Sequence, residues 1–203
     1  MADVWYKSGT FTTPASGTTV IGSLPGTAPK FIHLWWANNT TDNTVQDHQQ
    51  FGHGMSDGVD HDAMTVVCAD GADTYGRDGR AVNWCLIIDP TTPGTDIILG
   101  STAAMNTNDV TLSYTTTAAG RIINYEIWGG AGVTANMIQY GSAVANSPIA
   151  HGLNDGVDIK PDLVMVMTLG QAHAASSIHS YLLLMIMVQP LTSGTFTHFL
   201  VTT

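Results

Sequence analysis

The chain has 203 residues, a formal net charge of −10 at pH 7, 44% hydrophobic residues and only 11% charged ones. So acidic a chain, with six basic residues and no basic run, repels phosphate backbones, which sets nucleic-acid binding aside. The apolar share and sixteen aromatics exclude disorder, and the longest apolar run, 181–188, is too short for a membrane helix.

The polar exterior is supplied by 27 threonines together with serine and asparagine, and the acids are fifteen aspartates against a single glutamate, Glu126. Helix-favouring surface residues are scarce, whereas Thr, Val, Ile and aromatics favour strands and Asp, Asn and Gly favour turns. Composition therefore predicts an all-β chain. Extended elements are expected at 4–8, 18–22, 30–37, 63–68, 80–88, 96–99, 109–114, 121–128, 136–142, 162–169, 181–188 and 195–202. Spaced by turns, without amphipathic helices between them, they predict an antiparallel β-sandwich with jelly-roll character. The opening MADVWYKSGT lacks a basic segment followed by an apolar one, so no cleaved secretory signal is expected.

In KFIHLWWA, alternation points Phe31, His33 and Trp35 to one face and Ile32, Leu34 and Trp36 to the other. Both faces are largely apolar, which places this strand centrally between layers or under another subunit. His33 reads as a hydrogen-bonded member of the strand rather than a catalytic base.

The octet HGMSDGVD at 53–60 returns as HGLNDGVD at 151–158. Its glycines permit positive φ or tight backbone passage, and Asp57 or Asp155 can cap a turn, so both octets are expected to be corners. Asp57, Asp60, His61 and Asp62, with His53 nearby, form the densest candidate metal cluster. Their spacing matches neither a calcium loop nor a zinc motif, so no metal or other cofactor is assigned. ADGADTYGRDGR at 69–80 reads as a loop in which Arg77 and Arg80 balance aspartates; it lacks the pattern of a phosphate loop. No GxSxG elbow or paired-carboxylate arrangement stands out, so no catalytic residue is assigned and the chain is read as a non-enzyme. Cys68 and Cys85 are not a CxxC pair and read as free thiols in preference to a disulfide. Trp5, Tyr6, Trp35, Trp36, Tyr75, Trp84 and Trp128 offer sugar platforms, although several fall in apolar strands where packing explains them.

A weak internal repeat relates 4–36 to 137–167: each has a Tyr-bearing strand, a small polar link, and a Lys/Pro corner feeding an apolar strand. It suggests two related sheet-building units, 1–130 and a shorter 131–203 packed against the first or against a neighbouring subunit.

The succession SLPGTAPKFIHLWWANNT, FGHGMSDG, a GxxGR-like loop before NWCLIIDP, and DVTLSYTTTAAGRIINYEIWGG resembles phage and prophage virion-associated β proteins. The likeness continues through MIQYGSAVA and IKPDLVMVM, covering roughly 9–169. It implies a noncatalytic virion component, foremost a head decoration or cement protein bound to the major capsid protein. A tail or fibre accessory protein binding a host glycan or receptor is the alternative. The expected form is a homotrimer or another small oligomer on the capsid surface, assembled in the host cytoplasm, with no membrane partner. Within that reading the contact candidates are Trp5, Tyr6, Tyr75, Arg77, Arg80, Phe196, His198 and Phe199, because aromatics and arginines anchor interfaces once water is excluded.

Overall fold

The computed structural model describes residues 4–37, 39–41, 49–68, 75–78, 84–88, 97–135 and 137; of 75–78, and of the strands at 163–168 and 183–188, it describes the backbone. Among these residues every regular element is a strand. In chain order they are β1 (Trp5–Thr12), β2 (Thr18–Ile21), β3 (Pro29–Trp36), β4 (Gln49–Ser56), β5 (His61–Cys68), β6 (Tyr75–Asp78), β7 (Leu86–Ile88), β8 (Ile98–Met105), β9 (Val110–Thr116), β10 (Ile122–Gly129), β11 (Leu163–Thr168) and β12 (Leu183–Val188).

All pairings are antiparallel. A six-stranded sheet runs β1-β10-β3-β4-β5-β6, a four-stranded one β2-β9-β8-β7, and β11 pairs with β12. Between β1 and β10 the chain changes sheet at the β1–β2, β2–β3, β6–β7 and β9–β10 connections. All ten strands of the two larger sheets lie within 5–129, and the described part of 131–203 contributes β11 and β12.

The alternation expected for β3 is present. Ile32, Leu34 and Trp36 turn inward, joined by Ile123, Tyr125 and Ile127 of β10. From the four-stranded sheet come Ile21, Leu86, Ile87, Ile88, Ile98, Val110 and Leu112, giving one sandwich-like core. Cys85 lies within it as a free thiol whose pKa burial pushes up to about 12, so it stays protonated. The Cys68 side chain lies outside the description.

Two elements depart from the sequence expectation. Gln49–Ser56 is a strand, so the first octet is half strand and half corner. Glycine there marks close approach and not a turn: a Cβ on Gly52 would overlap the Trp36 indole, and one on Gly54 would overlap the Cys85 carbonyl. Tyr75–Asp78, expected as loop, is a short edge strand on β5. The corner itself, 57–60, is as expected. Asp57 Oδ1 accepts the Val59 and Asp60 amides at 2.9 and 2.8 Å, and Gly58 takes φ +92°. The second octet, 151–158, and the expected strand at 195–202 lie outside the described residues.

Candidate functional site

Because β-strand side chains alternate, the face of the six-stranded sheet turned away from the core is set by register. It carries Tyr6 and Ser8 from β1, Trp128 and Glu126 from β10, Phe31, His33 and Trp35 from β3, and Phe51 and His53 from β4. Tyr6, Trp128 and Phe31 are direct cross-strand neighbours. Their rings form a continuous row, with Tyr6 to Trp128 at 5.4 Å and Trp128 to Phe31 at 5.7 Å, tilted by 58° and 49°. Tyr6 is 52% exposed and the other two half-buried.

Two hydrogen-bonded pairs lie across the same face over four strands, with a wider gap between them. The Tyr6 hydroxyl donates to Glu126 Oε1 at 3.0 Å, Glu126 Oε2 lies 3.6 Å from His33 Nδ1, and His33 Nε2 meets His53 Nδ1 at 2.8 Å. The imidazoles are coplanar within 3° and buried at 3% and 6% exposure, with Trp35 against His33 and Phe51 edge-on to His53. Burial pushes the His33 pKa down to about 4; burial, and then the neighbouring His33, do the same to His53. Glu126 sits too far from His33 for a hydrogen bond and does not offset this desolvation. At neutral pH the pair is therefore uncharged and shares one N–H, which makes each ring a poor base.

A second polar cluster sits at the inner end of the β4–β5 corner. Ser56 Oγ accepts the Gly58 amide at 2.9 Å and bonds Thr102 Oγ1 at 2.8 Å and His61 Nδ1 at 2.7 Å. Serine beside histidine has the composition of a nucleophile and its base, but Ser56 is fully buried and its oxygen is taken up by three partners. Burial lowers the His61 pKa, while Asp57 and Asp60 pull the other way. Asp57 spends both oxygens on backbone amides, the second on Met137 N at 3.2 Å. His53 and His61 lie on opposite faces of the sheet. Among the described residues no three His, Cys, Asp or Glu side chains converge as metal ligands.

The expected contact residues are distributed unevenly. Tyr6 is on the exposed face. Trp5 belongs to the core at 8% exposure, its indole N–H donating to Thr27 Oγ1 at 2.6 Å, because odd-numbered residues of β1 face inward; it is a packing residue and not a surface anchor. Tyr75 and Arg77 fall on β6, opposite Val67 and Thr65, with side chains outside the description. Arg80, Phe196, His198 and Phe199 lie outside the described residues. Of the other aromatics considered as platforms, Trp36 is buried and Trp84 packs against the core. The pairing of His33 with His53 was not predicted, since it depends on β4 being a strand.

No family model, curated protein or solved structure matches the chain.

Proposed function

We propose that this chain is a noncatalytic structural component of a virion, a head decoration or cement protein that binds the major capsid protein and reinforces the shell as a homotrimer. The observation that carries the reading is the Tyr6–Trp128–Phe31 row on the outer face. A sheet face turned to solvent ordinarily alternates to polar side chains, and aromatic rows there serve contacts. The return of β9 and β10 to lie beside β2 and β1 supports the jelly-roll reading of the sandwich. Behind the row the Tyr6 hydroxyl is paired with Glu126 and His33 with His53, which lowers the cost of drying this part of the surface. The fully occupied Ser56 supports a role without catalysis.

The alternative, a tail or fibre accessory protein binding a host glycan or receptor, draws on the same rings. Successive tilts of 58° and 49° make the row corrugated, where a sugar needs one open, flat ring face, and this favours interdigitation with protein side chains.

The test is titration of the purified protein onto empty capsids of the particle that carries it. Saturation at a fixed ratio, weakened about tenfold or more by Tyr6→Ala, is the expected result, the size of a modest interface hot spot. Absence of capsid binding, with retention on host cells or immobilised glycans, would favour the alternative.

A further inference from the structure

Among the described residues the two larger sheets have four edges, and they are not alike. β2, β6 and β7 are four, four and three residues long, and short edges are one of the ways proteins prevent unwanted strand pairing. β1 is eight residues long, contains no proline, and pairs with β10 in unbroken register from Trp5↔Gly129 to Thr12↔Ile122. Among the described residues β10 is its only strand neighbour.

Register identifies the groups on its open side. The Thr13 amide donates to the Arg121 carbonyl at 2.9 Å, so by the antiparallel alternation Phe11, Gly9, Lys7 and Trp5 also bond toward β10. The N–H and C=O groups of Tyr6, Ser8, Thr10 and Thr12 therefore point away from the sheet. A charged side chain would guard such an edge, and β1 carries one, Lys7. Its ammonium is drawn across to the Gly22 and Ser23 carbonyls at 2.6 and 3.2 Å, tying the edge to the segment that follows β2 and leaving the pairing side without charge.

We propose that β1 is a docking edge for a second copy of this chain, pairing antiparallel with the β1 of that copy about a two-fold axis and joining two six-stranded sheets into one. An antiparallel edge is self-complementary: the same donors and acceptors serve both copies, as an isologous contact requires. Two chains of net charge −10 repel as wholes, and β1 is a long edge whose side-chain row, Tyr6, Ser8, Thr10 and Thr12, is uncharged. Pairing also brings the two Tyr6–Trp128–Phe31 rows onto one face of the enlarged sheet. The contact is two-fold: combined with a threefold association it gives a hexamer, in which each chain of one trimer meets a chain of another at β1, and without one it gives a dimer; it does not depend on the virion reading.

The experiment is the molar mass of the full chain in solution, measured by light scattering over a concentration series, for the unsubstituted protein, Ser8→Pro and Ser8→Lys. Ser8→Pro removes an outward N–H that has no strand partner among the described residues. Ser8→Lys places an ammonium opposite Glu126 of its own chain, but near the middle of β1, where a two-fold axis through the strand pair brings two such charges close together. The expected result is an even number of 21.5 kDa chains, halved by either substitution with the β circular dichroism retained. Independently of any variant, the Tyr6, Ser8 and Thr10 amides should exchange slowly in the assembled protein and quickly on dilution. A monomer, an odd-numbered assembly, or an even one that keeps its mass with Ser8→Lys and exchanges these amides quickly overturns the proposal.

Discussion

The two faces of β4 are built from the same eight residues and do opposite things. Inward, Gly52, Gly54 and Ser56 give up side-chain volume so that the Trp36 indole and the Cys85 carbonyl can reach the backbone. Outward, Phe51, His53 and Met55 project bulk, and His53 finds its partner on β3. The inner face is governed by volume, the outer by hydrogen bonding and charge state. Substitutions on the two faces should therefore fail for different reasons and by different amounts.

The largest effect is expected opposite the inner face of β4, where Leu34→Ala leaves a cavity in a fully buried site and should cost about 2–5 kcal/mol in urea unfolding. Gly54→Ala breaks the same face by the reverse error. Its new methyl meets backbone that has nowhere to move, and a loss of about 3 kcal/mol is expected from overpacking. A Gly54→Ala protein as stable as the parent would show that Gly54 does not lie against the Cys85 carbonyl as described.

The outer face should answer to pH. His33 and His53 have folded pKa values near 4 against an ordinary 6.5, so between those values the unfolded chain binds protons that the folded chain refuses. Their contribution to stability is thus fully present above about pH 6.5 and is lost as pH drops toward 4. His33→Asn should flatten that slope in thermal melts taken across the window, while Leu34→Ala should lower the curve without changing its shape. The smallest effect belongs to Tyr6→Phe, which removes one solvent-exposed hydrogen bond to Glu126; about 0.5 kcal/mol or less is expected.

How much of this was legible in the sequence follows the same division. The inward set of β3 could be read from period-two alternation, and Asp57 could be read as a turn cap, because both are local. β4 could not, since glycines that accommodate Trp36 across the sheet carry the same letters as glycines that turn a corner. The His33–His53 pair stayed hidden for the same reason: twenty residues separate its members, and only the β3–β4 register brings them to 2.8 Å. Trp5 and Tyr6 looked equivalent as contact residues until the β1–β10 register assigned one to the core and the other to the surface.

We propose that this sandwich works by contact through the outer face of its six-stranded sheet. Electron cryomicroscopy of the native particle tests it most directly. The chain is expected on the capsid surface with Tyr6, Trp128 and Phe31 seated against a neighbouring protein. A particle without the chain, or one in which that row faces open solvent, would contradict it.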